Sequence, residues 1–151
     1  MASDLVILLG DSEPELPHAR VIRCELEADP LEAVPDGARV AVFTTARRED
    51  SGRVLAALER KGIEVGLLTT NLARRAELER DMEQAARERC DFFLTELKAA
   101  AIEVVAERAA RDGIPVGFLR NRLVRLPGEA DPDQELWRLF EEVRTGAEAQ
   151  A

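Results

Sequence analysis

Short apolar runs bounded by turn residues recur along the chain: Leu5 to Leu9, Val21 to Leu26, Val40 to Phe43, Ile63 to Leu68, Phe92 to Leu94 and Ile114 to Leu119. Most are too short for helices and rich in Val, Ile and Leu, as buried strands are. Between the later runs the apolar period changes. Val54, Leu55 and Leu58, then Leu78, Met82, Ala85 and Ala86, then Ile102, Val105, Ala106 and Ala109 each form one stripe of a helix whose other face is charged. Asp36-Gly37 turns the chain before the third run, and Gly62 and Gly113 stand just past two of the helical segments, where glycine is the expected stop. Asp131-Pro132-Asp133-Gln134 announces a last helix, with Asp131 as N-cap, Pro132 in the first turn and Gln134 closing a capping box; Leu136, Leu139, Phe140 and Val143 follow.

Strands alternating with helices predict an α/β fold, a Rossmann-like three-layer domain with a mostly parallel sheet of about five to six strands. A chain of 151 residues suffices for one core. The expected organisation is a single domain over 1–145 and a frayed tail over 146–151, where no apolar pattern remains. The first run begins only a few residues after Met1, as expected at a subunit boundary beside a missing upstream domain and equally in a compact natural protein.

Composition narrows the chemistry. The net charge of -9 repels polyanions over most of the surface, so nucleic acid is not an expected partner and any anion site must be local. No apolar run approaches the roughly 20 residues that span a bilayer, and no signal peptide is recognisable, so no membrane partner is expected and the expected location is the cytoplasm. Two distant cysteines, Cys24 and Cys90, and a single histidine, His18, assemble neither a disulfide framework nor a metal site. No metal site is expected, and both cysteines read as small core residues. Ser3, Ser12 and Ser51 are the only serines, and none stands in a GxSxG turn.

Ligands of open parallel sheets bind outside the carboxyl ends of the strands. The residues there are unusually polar: Asp11-Ser12-Glu13, then Thr44-Thr45-Ala46-Arg47-Arg48, then Thr69-Thr70-Asn71 with Arg74 and Arg75, then Thr95-Glu96-Leu97-Lys98, then Arg120-Asn121-Arg122. Seven cations against three acids make this edge basic in an acidic protein, which suggests a local anion site. Each residue has a plainer reading as well: hydroxyls and Asn cap helices, and arginines in loops are solvated. Lysine occurs only at Lys61 and Lys98, and Lys98 lies in a first helical turn, where the dipole disfavours a cation unless an anion is bound. Lys98 is thus either an anion ligand or a chance lysine. Glu96 is either a dipole-favoured acid or a carboxylate that fixes Lys98, a substrate hydroxyl or a magnesium ion carried in by phosphate. Asn121 is either a ligand or a turn residue leading to a return strand at Leu123 to Leu126.

There is no GxxxxGK[ST] loop and no GxGxxG after the first strand, so nucleotide turnover by this chain alone is not expected. Leu94-Thr95-Glu96-Leu97-Lys98-Ala99-Ala100-Ala101, together with Phe43-Thr44-Thr45-Ala46, Asn71-Leu72 with Arg75, and Asn121-Arg122 in the same order, resembles the carboxyl-terminal domain of cyclic 2,3-diphosphoglycerate synthetases and related 2-phosphoglycerate kinase-like proteins. The resemblance runs from about Asp4 to Val143. It departs from the family pattern at Arg120 and Leu123, where an acidic residue and a proline are expected. It implies one piece of an ATP-dependent, ligase-type enzyme that activates a phosphate of 2,3-diphosphoglycerate. ATP and magnesium would then sit on a P-loop partner, with no cofactor in this chain and a phosphoglycerate-class molecule as ligand. Glu96 and Lys98 become the catalytic candidates, and Thr44, Thr45, Arg47, Asn71, Arg75, Thr95, Asn121 and Arg122 the substrate-binding ones. A homodimer fits the same picture. The alternatives are a non-catalytic module binding a phosphorylated metabolite and an assembly platform.

Overall fold

In the computed structural model, residues 5–10, 19–97 and 99–148 are described, excepting the side chains of 99–101 and 146–148. The strands are β1 (Leu5–Leu9), β2 (Arg20–Pro30), β3 (Arg39–Phe43), β4 (Glu64–Thr69), β5 (Phe92–Glu96) and β6 (Val116–Arg125). The helices are α1 (Ser51–Arg60), preceded by a 3-10 turn at Arg48–Asp50, α2 (Arg75–Arg87), α3 (Ala99–Asp112) and α4 (Pro132–Glu148). The six strands are hydrogen-bonded in the order β1-β2-β6-β5-β3-β4, a mostly parallel sheet in the Rossmann-like three-layer class. The chain divides into two compact units, Met1–Leu26 with Leu123–Ala151, and Glu27–Arg122.

In the Glu27–Arg122 unit, β3 is parallel to β4 and β5, and β5 is parallel to β6. Alternation along the strands sorts their side chains between two cores. Val40, Val42, Phe92 and Leu94 pack with Ala57 and Leu58 of α1. Ala41, Phe43 and Phe93 pack with Leu78, Met82 and Ala85 of α2 and with Val105 and Ala109 of α3. Helices therefore cover both faces of the sheet, which is why the strands read as continuous apolar runs. Phe43 and Phe93 meet edge to face, with centroids 5.1 Å apart, at the centre of the α2-α3 side. Burying each ring contributes on the order of 1.5–3 kcal/mol.

Two segments depart from the sequence expectation. No turn interrupts Arg120-Asn121-Arg122, because β6 runs unbroken to Arg125. Its partner β2 extends past Leu26 to Pro30. The N–H of Leu31 donates to the carbonyl of Phe118, while the Asp29 side chain meets Arg120 and Glu27 meets Arg122, so these strands run antiparallel. Cross-strand ion pairs hold Arg120 to Arg122 extended, which removes the turn that was one of the two sequence readings of Asn121.

In the other unit, β1 is parallel to β2, from Leu5 opposite Arg20 to Leu9 opposite Cys24. Asp131 caps α4 as expected, its carboxylate accepting from the N–H groups of Asp133 and Gln134 at 3.0 and 3.2 Å. Arg20 reaches Glu135 and Glu142 on α4. Cys24 and Cys90 are buried and not paired in a disulfide, and burial pushes both thiols up from their ordinary value. Among the described residues, no helix is long and apolar enough to cross a membrane.

A methyl group added at Gly117 would lie 2.9 Å from Phe92 Cζ, inside the α1-side core. Gly117→Ala is expected to cost about 1–3 kcal/mol through overpacking. Gly52→Ala, within α1 and with open space around the new methyl, should instead gain up to about 1 kcal/mol of helix propensity. Urea unfolding of both variants checks the pair.

Candidate functional site

Adjacent strands β3 and β5 send the chain in opposite directions, β3 through α1 to the edge strand β4 and β5 through α3 to β6. A doubly wound sheet opens a crevice at such a place, beyond the strands' carboxyl ends. Two of the sequence candidates meet there on Glu96. The Thr44 hydroxyl donates to Glu96 Oε1 at 2.5 Å, and the Thr45 hydroxyl and N–H donate to Oε2 at 2.7 and 3.1 Å. Glu96 is 4% exposed and Thr44 is fully buried. A carboxyl group so enclosed is tolerated because these donors take the place of water. The Thr44 oxygen also accepts from the Ala46 N–H at 3.0 Å, which bends the chain away from β3 toward the 3-10 turn.

Thr95 lies beside Glu96 on β5 and is wholly buried, and its hydroxyl has no hydrogen-bond partner among the described residues. Lys98, with Asp11, Ser12, Glu13 and His18, lies outside the described residues. The other candidates are held elsewhere. The Asn71 side-chain amide donates to Asp81 Oδ2 at 2.8 Å, and the Thr69 hydroxyl donates to the same oxygen. These residues line a cleft of about 460 Å³ with Arg48, Ser51 and Gln84, at the end of β4. Arg47 and Arg75 are largely exposed, with surface pairs to Glu49 at 3.4 Å and Glu79 at 3.6 Å. Such pairs are weak and leave both guanidinium groups able to turn toward a ligand.

Asn121 and Arg122 belong to β6, and Arg122 joins an ionic cluster apart from Glu96. Glu27 receives Arg60, Lys61 and Arg122, and Asp29 receives Lys61 and Arg120. The Arg120 hydrogen bond, reinforced by Lys61 against a smaller desolvation penalty, holds the Asp29 carboxyl below its ordinary 3.8. Burial pushes Glu27 upward, but Lys61, Arg60 and Arg122 together outweigh it and leave the carboxyl lowered. The expected excess of cations on the strand-end edge is thus largely matched by local acids. Among the described residues no group of His, Cys, Asp and Glu gathers as a metal site would require.

The model of the family described as "Cyclic 2,3-diphosphoglycerate synthetase C-terminal domain" matches residues 30–122, nearly the whole of the Glu27–Arg122 unit. The chain belongs to this family. Among curated relatives, the cyclic 2,3-diphosphoglycerate synthetase of Rubrobacter xylanophilus is 34% identical over 137 residues, 80% of this chain and 30% of that protein. That of Thermococcus gammatolerans is 36% identical over 124 residues, 81% of this chain and 27% of its own length. That of Pyrococcus abyssi is 36% identical over 89 residues, 59% and 20% respectively. The chain therefore spans less than a third of the length of these relatives.

Three residues of the site and its surroundings, Asp81, Glu27 and Asp29, were not singled out by the sequence. Asp81 stands three positions after Leu78 and directly before Met82, at the margin of the apolar stripe of α2, which was a readable signal for a side chain aimed at the sheet. Glu27 and Asp29 alternate with buried Ala28, a strand pattern that could have extended the second apolar run.

Two outcomes follow. Glu96→Ala removes the acceptor for Thr44 and Thr45 and should destabilise by roughly 1.5–3 kcal/mol in urea unfolding, the range for hydrogen bonds to a charged group. For Asp29 the lowered folded pKa means stability present above its ordinary value and lost as pH falls through the folded value. The stability difference between wild type and Arg120→Ala should therefore be largest near neutrality and shrink below pH 3.8, as unfolding at a series of pH values will report.

Proposed function

We propose that this chain supplies the phosphoglycerate-binding part of a cyclic 2,3-diphosphoglycerate synthetase-like, ATP-dependent ligase, and that catalysis requires a nucleotide-binding part lying outside this sequence. One observation carries the reading: a buried carboxylate, Glu96, is fastened by Thr44 and Thr45 at the crevice where doubly wound sheets bind ligands, in a chain of this family.

An anion accepts hydrogen bonds and donates none, and the hydroxyl protons of Thr44 and Thr45 are already committed to Glu96. These threonines therefore position the loop after β3. Contact with phosphate is assigned to Arg47 and Arg75, whose surface pairs are weak, and to Lys98, the residue that precedes α3 in the sequence. Backbone N–H groups at the start of α3 add the helix dipole to that attraction. Glu96 acts by holding the crevice walls together. ATP and magnesium, bound elsewhere, would supply the activated phosphoryl group. This chain has no GxxxxGK[ST] loop, and no nucleotide step is assigned to its residues.

A Glu96 fastened into the crevice wall by Thr44 and Thr45 also favours a second reading, a non-catalytic module that binds a phosphorylated metabolite and regulates a partner. Both readings place the anion at the same crevice and separate on turnover. Titration of 2,3-diphosphoglycerate should shift the backbone amides of 95–99 saturably. Lys98→Ala should weaken that binding by about 1.5–3 kcal/mol, while Arg80→Ala, exposed on α2, leaves it unchanged. Uniform shifts that do not saturate would sink both readings. The isolated chain should turn over no ATP; phosphoglycerate consumption after addition of a nucleotide-binding partner and ATP, followed by phosphorus NMR, decides for the enzyme.

A further inference from the structure

Of the six arginines at the strand ends, Arg47, Arg75, Arg120 and Arg122 each have a carboxylate partner. Arg48 and Arg74 have none among the described residues, and of these two only Arg74 has its side chain held by a hydrogen bond. Its Nη1 donates to Asn71 Oδ1 at 3.4 Å, and its backbone N–H donates to the Asn71 carbonyl at 2.7 Å. A neutral acceptor orients a guanidinium without cancelling its charge.

The Asn71 amide is itself oriented. Its Nδ2 donates to Asp81 Oδ2 at 2.8 Å, so the amide nitrogen faces Asp81 and the amide oxygen is left for Arg74. The same Asp81 oxygen accepts from the hydroxyl of buried Thr69, which in turn accepts from the Asn71 N–H at 3.2 Å. Asp81 on α2 thus fixes Asn71, and Asn71 fixes Arg74. The segment is also fastened to the crevice: the N–H of buried Leu72 donates to the Thr44 carbonyl at 3.3 Å, and the Thr44 hydroxyl donates to Glu96. With Nη1 resting on Asn71, Arg74 keeps Nε and Nη2, the pair of parallel donors that meets a phosphate group.

We propose that Arg74 is an anion-binding residue of the crevice, taking one phosphate group of the ligand, and that Asn71 and Asp81 are positioning residues acting through it. The proposal rests on the reading that a phosphorylated molecule binds there. It makes Asn71, a substrate contact by resemblance, the support of a cation instead. Arg75 differs from its neighbour in being drawn along α2 toward Glu79.

The probes are 2,3-diphosphoglycerate and inorganic phosphate. Each is titrated into the whole chain by calorimetry and against the Arg74 Nε–H resonance, identified by its loss in Arg74→Lys. The resonance should shift saturably with both. Arg74→Ala should weaken 2,3-diphosphoglycerate binding roughly tenfold or more, as expected for a lost hydrogen bond between charged groups, while Arg80→Ala leaves it unchanged. Asn71→Ala should weaken binding when Arg74 is present and cause no further loss in the Arg74→Ala chain. Asn71→Asp should weaken it more than Asn71→Ala does, because it gives Arg74 a carboxylate partner. Asp81→Asn keeps an acceptor oxygen for Asn71 and should bind as wild type, whereas Asp81→Ala should not. An Arg74 resonance that responds to neither probe overturns the proposal, and so do losses at Asn71 and Arg74 that simply add. A saturable response of 95–99 to 2,3-diphosphoglycerate with unchanged affinity in Arg74→Ala overturns it and leaves the functional reading standing. An Arg74 shift with inorganic phosphate and none with 2,3-diphosphoglycerate refutes the functional reading alone.

Discussion

A carboxyl group shut between the ends of two parallel strands must be given donors, and the geometry around Glu96 is the consequence. The threonine doublet after β3 provides three donor groups, and each is used: two hydroxyls and one backbone N–H. In a site screened from water such bonds are strong, and their absence would cost more than their presence contributes. The loop leaving β3 is therefore locked to the end of β5, and the crevice of the doubly wound sheet has fixed walls. Its polar lining is an acid held by three donors of the threonine doublet, which organises the wall of the crevice.

The same economy governs the arginines. Arg120 and Arg122 face Asp29 and Glu27 across an antiparallel strand pair, and Arg60 and Lys61 close on the same two acids. An acidic protein that clusters cations has to neutralise most of them locally or suffer their mutual repulsion. Here the neutralisation does structural work, since it holds the second half of β6 extended. The cations left with loose surface partners, Arg47 and Arg75, are the ones beside the strand ends. The pairs there are weak surface contacts, whereas Glu27 and Asp29 hold a built network elsewhere.

Helix α4 belongs to a different balance. Its buried side spends Glu135 and Glu142 on Arg20, and its apolar side is turned outward. Burying an acid while exposing an indole is unfavourable for a chain judged alone.

The period of the apolar positions determined most of the fold. Five-residue runs of Val, Ile and Leu separated by amphipathic segments have few ways to bury both faces, and the parallel sheet between helices is the one realised. The Asp131 cap was equally legible, because its hydrogen bonds are made within one helical turn. So was the polarity of the strand ends, which put Thr44, Thr45 and Glu96 on one candidate list. Which of those residues touch was decided by tertiary structure alone. Thr44 meets Glu96 across 52 positions because β3 and β5 are neighbours, whereas Asn71 turns to Asp81 on α2. Local chemistry leaves Asn121 open as a ligand or a turn residue, and the Arg120 to Arg122 segment is a strand because Glu27 and Asp29 lie opposite. The apolar face of α4 could be read from spacing, but not its direction. Sequence periodicity fixes which residues share a face, and only the packing of distant elements decides what that face meets.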